Sequence, residues 1–481
     1  MSLCNVPQFR KSKALLSCLA SLLLAGSLLP GSALSAQNTL PAAEQSKVDA
    51  IAQQVLEKTG VPSASVGIVT DGKVSYLKAY GDAELHPPVP AEPQMRYSIG
   101  SISKQFTAAA ILILQQQGRL SIDDHISKWL PQLTRANEVT LRELLSHTSG
   151  YQDYYAEDYL LPYMKQPTTP DEILDKWGKK PLDFDPGTQW QYSNTNYVIA
   201  GKIVEMVSDM PLMTFLRQQI FTPLRMDRVI DYNLHPLAPT DAHGYARYAL
   251  GPLRPATREG NGWIFGAGEL AMPVGNLLLW DISMMNESLL QPASYTQMET
   301  GMKLKDGQDT HYGFGVGTSM RADHLVISHS GGVSGFITDN LVLPKDKVAV
   351  AVFTNADASN AAGAIASKVA ALLVGLPPDE SKQSTDEARQ IFVNLQNGKI
   401  DRSLFTANCN SYFTPQAISD YAASLKPLGP PLAFRQVTQS LRGGMTFRVY
   451  DVFFPHQHLT VTEYQMPDGK IEQYLVIPAN N

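Results

Sequence analysis

Ser101-Ile102-Ser103-Lys104 opens an apolar run through Phe106, Ala109, Ala110, Ile113 and Leu114 that stops at Gly118. The run reads as a deeply buried helix, and Gly118 suits the cap that ends one. Serine and lysine three residues apart at its start share one helical face. An amine beside a hydroxyl can take its proton if the surroundings keep the amine partly neutral, and burial does so. The four residues alone are a weak signal, because Ser101 as a helix cap with Lys104 in solvent gives the same string.

The chain has the size to bury such a helix. Its 481 residues give room for a large core and at least two domains, and 44% hydrophobic with 17% charged residues is ordinary globular composition. The net charge is −6, with no long basic cluster after the N-terminus, which argues against nucleic acid as a partner. Arg10, Lys11 and Lys13 precede an apolar stretch from Ala14 to Leu29, broken by Pro30-Gly31, with small residues through Ala36. This reads as a signal peptide over 1–36 and a secreted or periplasmic protein. The stretch is short of the roughly 20 residues needed to span a bilayer, so no stable membrane insertion is expected after cleavage. Cleavage removes three of the 39 basic residues and no acids, leaving 36 against 45 acidic, or −9. Leu15-Leu16-Ser17-Cys18 looks like a lipoprotein box but stands at the start of the apolar run, where it reads as chance. Loss of Cys4 and Cys18 leaves only Cys409, so no internal disulfide forms, and Cys409 reads as a buried apolar residue.

Residues 37–374 read as one domain. Val48–Lys58 is an expected helix, and Ser65–Thr70 with Val74–Tyr80 an expected hairpin around Asp71-Gly72. Residues 122–260 read as short helices and loops lining a cleft, with a helical turn at Leu141–Leu145 and a helix over Asn196–Val207. Strands are expected at Val326–Ser328, Gly335–Val342 and Lys347–Phe353, and a helix over Ser359–Leu373. Strands at both ends with helices between them make one antiparallel sheet flanked by helices, plus an all-helical region, a mixed α/β fold. Gly313, Gly315 and Gly317 alternate with Phe314 and Val316, which suits a strand closely approached by backbone or ligand. A polar, proline-led linker follows at 375–385. Residues 386–481 read as a small α+β domain: helices at Glu387–Leu395 and Ala417–Leu425, then strands at Met445–Phe454, His458–Gln465 and Ile471–Ile477, the last two joined by Asp468-Gly469. Arg442-Gly443-Gly444 reads as a strand entrance with a bend. This domain suits docking or substrate selection, and is the expected route to a homo-oligomer.

Two further segments complete an acyl-transfer set: Tyr192-Ser193-Asn194 and His329-Ser330-Gly331-Gly332. In the expected chemistry Ser101 attacks a carbonyl and water later hydrolyses the ester. Lys104 and Tyr192 are both candidates for the base, and Tyr192 also for the proton carrier to the leaving group. Asn194 would hold Lys104 or a substrate amide. Backbone N–H groups of Ser101 and Gly332 would stabilise the oxyanion, where loss of one comparable donor costs about 3 kcal/mol. Taken singly, each residue has a plain structural reading: Tyr192 as packing, Asn194 as a cap, His329 as a strand residue, the glycines as a turn. The ordered combination is what points to chemistry. His147, in Ser146-His147-Thr148-Ser149-Gly150, reads as part of a structural turn rather than a triad member. The ten histidines show no ligand spacing and no phosphate loop appears, so neither metal nor cofactor is expected.

The combination resembles the serine β-lactamase and penicillin-binding-protein superfamily, in particular its class C β-lactamase, D-alanyl-D-alanine carboxypeptidase, D-aminopeptidase and serine esterase branch. The resemblance covers roughly Val48 to Leu373. Ile99 to Thr107 is similar to the branch's nucleophile helix, Leu144 to Gly150 to a second characteristic stretch, and Pro186-Gly187 with Tyr192-Ser193-Asn194 to its Tyr-x-Asn element. His329-Ser330-Gly331-Gly332 sits where the family carries Lys-Thr-Gly. The resemblance implies Ser101 as nucleophile, Lys104 and Tyr192 as the acid–base pair, Asn194 as polar support, and His329 beside an oxyanion strand containing Gly332. It implies a β-lactamase/transpeptidase-like fold acting on a small molecule or short peptide. Beyond it, the C-terminal domain looks NTF2-like.

Two departures narrow the expectation. Histidine is usually neutral near pH 7, so His329 is a weaker clamp for a carboxylate than lysine. This resembles the esterase, D-peptidase and amidase members and ranks β-lactam resistance low. Glu269, in Gly268-Glu269-Leu270, replaces a family glycine and is expected to add charge near the site. The crowded Tyr151, Tyr154, Tyr155, Tyr159 and Tyr163 include candidates for an aromatic pocket wall. The chain thus reads as an exported serine hydrolase cleaving an ester or amide. The alternatives are a non-turnover penicillin-recognising sensor and a weak β-lactamase.

Overall fold

The computed structural model describes residues 39–321, 323–375, 386–443, 445–466 and 468–479. The expected signal segment, Cys4 and Cys18, and the expected linker apart from Gly375 lie outside the described residues. Among those described, no helix is long and apolar enough to cross a membrane.

The main sheet is built from both ends of the first domain. Strands β1 (Ser63–Thr70), β2 (Lys73–Leu85) and β3 (Pro88–Pro90) join β4 (Gly317–Arg321), β5 (His324–Val333), β6 (Phe336–Leu343) and β7 (Val348–Thr354) in the order β3-β2-β1-β7-β6-β5-β4. All neighbours are antiparallel, and β1 meets β7 through pairs such as Val66–Val352 and Ile68–Val350. Strand β7 is buried along its whole length. Ala349, Ala351 and Phe353 face one core, and Val350 and Val352 face the other. That period-two alternation sandwiches the sheet between helices. On one side lie α1 (Ala42–Thr59) and a later helix, Ala361–Val374. On the other lies the helical region, with α2 (Ser103–Gln116) packed on α3 (Asn194–Ser208).

The C-terminal domain has its own core. Helices over Asp386–Gln396, Ala407–Tyr412 and Pro415–Leu425 cover an antiparallel sheet of β8 (Ala433–Arg442), β9 (Met445–Phe453), β10 (His458–Gln465) and β11 (Ile471–Pro478). Cys409 is a free, buried thiol in that core, its pKa pushed up by burial. A small cluster of Ala156, Met445 and Tyr464, with Phe447 against it, joins this sheet to the first domain.

Three expectations are corrected. The glycine pair does not interrupt two strands: β5 runs unbroken through Gly331-Gly332, and the turn is at Gly335. The alternating glycines at 313–317 are not a strand, since β4 starts only at Gly317. Gly315 is nonetheless closely approached: its φ is +73°, and a Cβ there would lie 2.9 Å from the Lys104 carbonyl. Strand β8 was not expected at all. Its sequence, Ala-Phe-Arg-Gln-Val-Thr-Gln-Ser-Leu-Arg, is polar because it is the sheet's edge.

Candidate active site

A single 3₁₀ turn, Gly100–Ile102, runs into α2 at Ser103. In a 3₁₀ turn residues i and i+3 eclipse, and Lys104 Nζ lies 2.9 Å from Ser101 Oγ. Lys104 is fully buried. Its Nζ also lies 2.7 Å from Asn194 Oδ1 and 2.8 Å from the Ala267 carbonyl. Burial holds its pKa well below the usual lysine value; Asp153 opposes that shift and Arg442 adds to it.

Asn194 is the first residue of α3, not a cap before Asn196. Its Nδ2 donates to Asp153 Oδ1 at 3.0 Å and to the Tyr155 carbonyl at 2.9 Å, which turns Oδ1 toward Lys104. Asp153 also accepts from the Asn194 and Tyr155 backbone N–H groups at 2.9 and 3.1 Å. The half-buried Tyr192 lines the same cavity as Ser101. Its ring centroid lies 5.0 Å from Lys104 Nζ and 4.3 Å from the His147 ring. Burial raises the Tyr192 pKa, while the Ser101 hydroxyl and the nearby Arg442 pull against that rise.

His147 serves the frame. It is wholly buried, and its Nδ1 accepts from Ser193 N–H at 3.2 Å and stands 3.1 Å from Asn196 Nδ2. His329 lies on β5 with its Nδ1 2.5 Å from the Ser330 carbonyl and its Nε2 2.9 Å from the Tyr312 hydroxyl. Burial lowers its pKa to about 3, so it is neutral and engaged at both nitrogens. Gly331 and Gly332 bring β5 against the 3₁₀ turn. A Cβ on Gly331 would sit 1.9 Å from the Ile99 carbonyl oxygen, and one on Gly100 would sit 2.7 Å from Gly332 N. Glu269 does not add the expected charge. It is buried, its Oε2 accepts from Gly266 N–H at 2.9 Å, and burial pushes its pKa up to about 8. Its carboxyl therefore shapes the loop that presents the Ala267 carbonyl.

A cavity of about 450 Å³ opens over these groups. Ser101, Tyr192, Asn194, His329 and Gly332 line it, with Lys104 behind them. Of the crowded tyrosines, Tyr154, Tyr155 and Tyr159 form wall, whereas Tyr151 and Tyr163 do not. The Tyr155 hydroxyl is held by Glu259 at 2.9 Å. The opposite wall comes from the C-terminal domain and includes Arg442, Phe447 and Tyr464. Sequence reasoning missed Asp153, Tyr312, Ala267 and Arg442, none of which stands in a motif.

A helix-flanked antiparallel sheet, with a Ser-x-x-Lys turn set against a glycine-bearing strand, defines the penicillin-recognising class of serine hydrolases. The chain belongs to the Beta-lactamase family, which it matches over residues 48–375. It is 26% identical to penicillin-binding protein 4* of Bacillus subtilis, over 71% of this chain and 77% of that protein. It is 28% identical to Protein flp of Staphylococcus aureus, over 65% of this chain and 63% of that protein. Among solved structures it is similar to a D-stereospecific amidohydrolase from Streptomyces sp., with 28% identity, TM-score 0.56, and 64% and 94% of the two chains covered. A likeness in fold to the octameric penicillin-binding protein homologue of Pyrococcus abyssi covers 90% of this chain and 99% of that one, at 22% identity and TM-score 0.62.

Proposed function

We propose that the protein hydrolyses an ester or amide through an acyl-enzyme on Ser101. The observation that carries this reading is the set of contacts around Lys104 Nζ. Two of its three neighbours, Asn194 Oδ1 and the Ala267 carbonyl, can only accept. A neutral amine spends both N–H bonds on them, and its lone pair then faces the Ser101 hydroxyl. Lys104 is therefore the base: it takes the Ser101 proton as Oγ bonds to the substrate carbonyl carbon. Tyr192, kept as a phenol by burial, passes a proton to the departing nitrogen or oxygen as its bond to the acyl carbon breaks. Water then attacks the ester by the same route in reverse. Ser101 and Gly332 N–H groups hold the oxyanion.

The substrate class follows from the walls. His329 is neutral and already bonded, so it offers no anchor for a carboxylate. Aromatic side chains and carboxyl groups at Glu157, Asp158 and Asp357 line the cavity. Neutral or amine-bearing acyl groups fit this lining better than β-lactams or peptide C-termini. Short D-amino-acid amides and peptides, cell-wall fragments and carboxylic esters are the proposed substrates, in line with the amidohydrolase named above.

The proposal includes export, based on the basic and apolar residues at 10–29, domain boundaries near 374 and 386, and an NTF2-like C-terminal module. Self-association through that module draws support from the octameric Pyrococcus abyssi homologue, and light scattering tests it.

The deciding experiment runs p-nitrophenyl esters, D-amino-acid amides and nitrocefin against wild type and Ser101→Ala. Ester and D-amide cleavage that vanishes in the variant, with slow nitrocefin turnover, is expected. Activity unchanged in Ser101→Ala overturns the reading. A lasting adduct without product release moves the protein to the sensor class.

A further inference from the structure

We infer that the C-terminal domain completes the active site, and that Arg442 at the end of β8 is a positioning residue for the Lys104–Asn194–Tyr192 group. The inference rests on the hydrolase reading above and names how that site is held and tuned.

Arg442 reaches across the domain boundary. Its backbone forms a parallel bridge with that of Tyr192. Its Nε lies 3.4 Å from Asp153 Oδ2, one terminal nitrogen donates to the Tyr464 hydroxyl at 2.8 Å, and the other lies 3.4 Å from the Tyr155 carbonyl. Asp158 is 3.6 Å away. The guanidinium carbon stands 5.2 Å from the Tyr192 ring centroid. Among the described residues lining the cavity, Arg442 is the one lysine or arginine.

These contacts define its action. Asp153 is buried and holds Asn194 by backbone and side chain, and Asn194 holds Lys104. A negative charge so close, left alone, would favour the ammonium form of Lys104. Arg442 offsets it and adds its own repulsion toward that cation. The groups facing Lys104 are Ser101 on its own turn, Asn194 and Tyr197 from α3, Tyr192, the Ala267 carbonyl, neutral His147 and His329, Asp153 and Arg442. Of these, Asp153 and Arg442 carry the opposed charges. A guanidinium already beside two carboxylates is a poor partner for a third, so a substrate carboxylate is not its target.

The interface around it is built for permanence. Asp158 N–H donates to Gln473 Oε1 at 2.6 Å, the Tyr159 hydroxyl donates to the Glu472 carbonyl at 2.8 Å, and Arg254 pairs with Asp420 at 2.6 Å. Residues 153–159 thus touch both the Lys104 group and the C-terminal sheet.

The test is the pH dependence of kcat/KM for one ester with the full chain. Neutral Lys104 is the active form, so activity falls on the acid side. Arg442→Gln leaves Asp153 unopposed, and the acid limb should move to higher pH by on the order of one unit, with kcat reduced more than KM is raised. Asp153→Asn should move the limb the other way, and the double variant should return it toward wild type. A merely structural role would lower activity in all three without that pattern of signs. Should Arg442→Gln fail to fold, judged by circular dichroism, Tyr464→Phe removes one guanidinium bond while keeping the ring, and should give a smaller shift of the same sign. An unmoved acid limb with raised KM would make Arg442 a substrate contact and overturn the inference, as would an unchanged profile and KM. Ser101→Ala in the same series separates the readings. Activity surviving there removes the hydrolase site itself, while activity lost there with an unaltered Arg442→Gln profile removes only Arg442.

Discussion

The floor and the roof of the cavity are built by different rules. The floor is one helical turn clamped between a second helix and a strand: Ser101 from the 3₁₀ turn, Lys104 from the start of α2, Asn194 from α3, and Gly331-Gly332 from β5. Its geometry comes from backbone periodicity and, at Gly100 and Gly331, from close backbone contacts that leave no room for an added atom. The roof is a separate domain whose edge strand delivers Arg442, with Phe447 and Tyr464 from the two strands beyond it. Its geometry comes from side chains meeting across an interface. The floor should therefore fail abruptly when altered and the roof gradually, adjusting rate, pH range and substrate choice.

The sharpest break is in the floor. Lys104→Ala removes the proposed base and leaves Asn194 Oδ1 and the Ala267 carbonyl without their buried donor. Ester turnover should fall by about 10³ to 10⁴-fold, and a fluorophosphonate probe should label Ser101 correspondingly slowly, by intact mass. Retention of more than a tenth of the wild-type rate would transfer the base role to Tyr192.

Next is the glycine pair, whose members should part company. A Cβ on Gly331 would meet the Ile99 carbonyl oxygen at 1.9 Å, backbone that cannot move without shifting the 3₁₀ turn. On Gly332 the nearest atom is Ile337 Cδ1 at 3.4 Å, an ordinary contact. Gly331→Ala should cost about 1 to 3 kcal/mol and most of the activity. Gly332→Ala should melt within about a degree of wild type. Equal melting temperatures for the two would show that the floor is looser than its contacts imply.

The same contrast governs what the sequence made legible. Ser101 with Lys104, and Tyr192 with Asn194, are separated by fixed short spacings, and a helical or extended segment turns spacing directly into proximity. The antiparallel sheet was readable for a similar reason, because β7 is apolar from Val348 to Phe353 and β1 carries Val66, Ile68 and Val69 just before the Asp71-Gly72 turn. Asp153 and Arg442 are 289 residues apart. Neither has a local pattern, since what unites them is the docking of an edge strand whose polar composition also hid the strand itself. Tyr312 and Ala267 act from loops, one through a hydroxyl and one through a backbone carbonyl that any residue could offer. Glu269 was visible but misjudged: a sequence shows a carboxyl, whereas burial decides whether it is charged.

Glu269 gives a milder test of the floor. Burial raises its pKa from the ordinary 4.5 to about 8, so folding takes up a proton between those values. The stability this adds is present below the lower value and is lost as pH rises through the higher one. Its contribution should fall by up to about 1.4 kcal/mol per pH unit across that window. Glu269→Gln, which keeps an acceptor for Gly266 N–H, should flatten the decline in melting temperature between pH 6 and pH 9. An identical slope in the variant would place the titration elsewhere, with Asp281, also raised to about 8 by burial, the first alternative.

The smallest effect belongs to the roof. Phe447 stacks on Tyr464 with ring centroids 4.7 Å apart and lines the cavity away from Lys104. Phe447→Ala removes apolar wall but none of the groups that move protons. KM for an aromatic acyl ester should rise several-fold while that for an acetyl ester stays within twofold, with kcat and the acid limb unchanged for both. Loss of a hydrophobic wall is uniform binding lost, which raises KM alone. A matching fall in kcat for the acetyl ester would mean that the roof acts as one rigid piece with Arg442. Choice of substrate and tuning of the base would then be a single property of the domain contact.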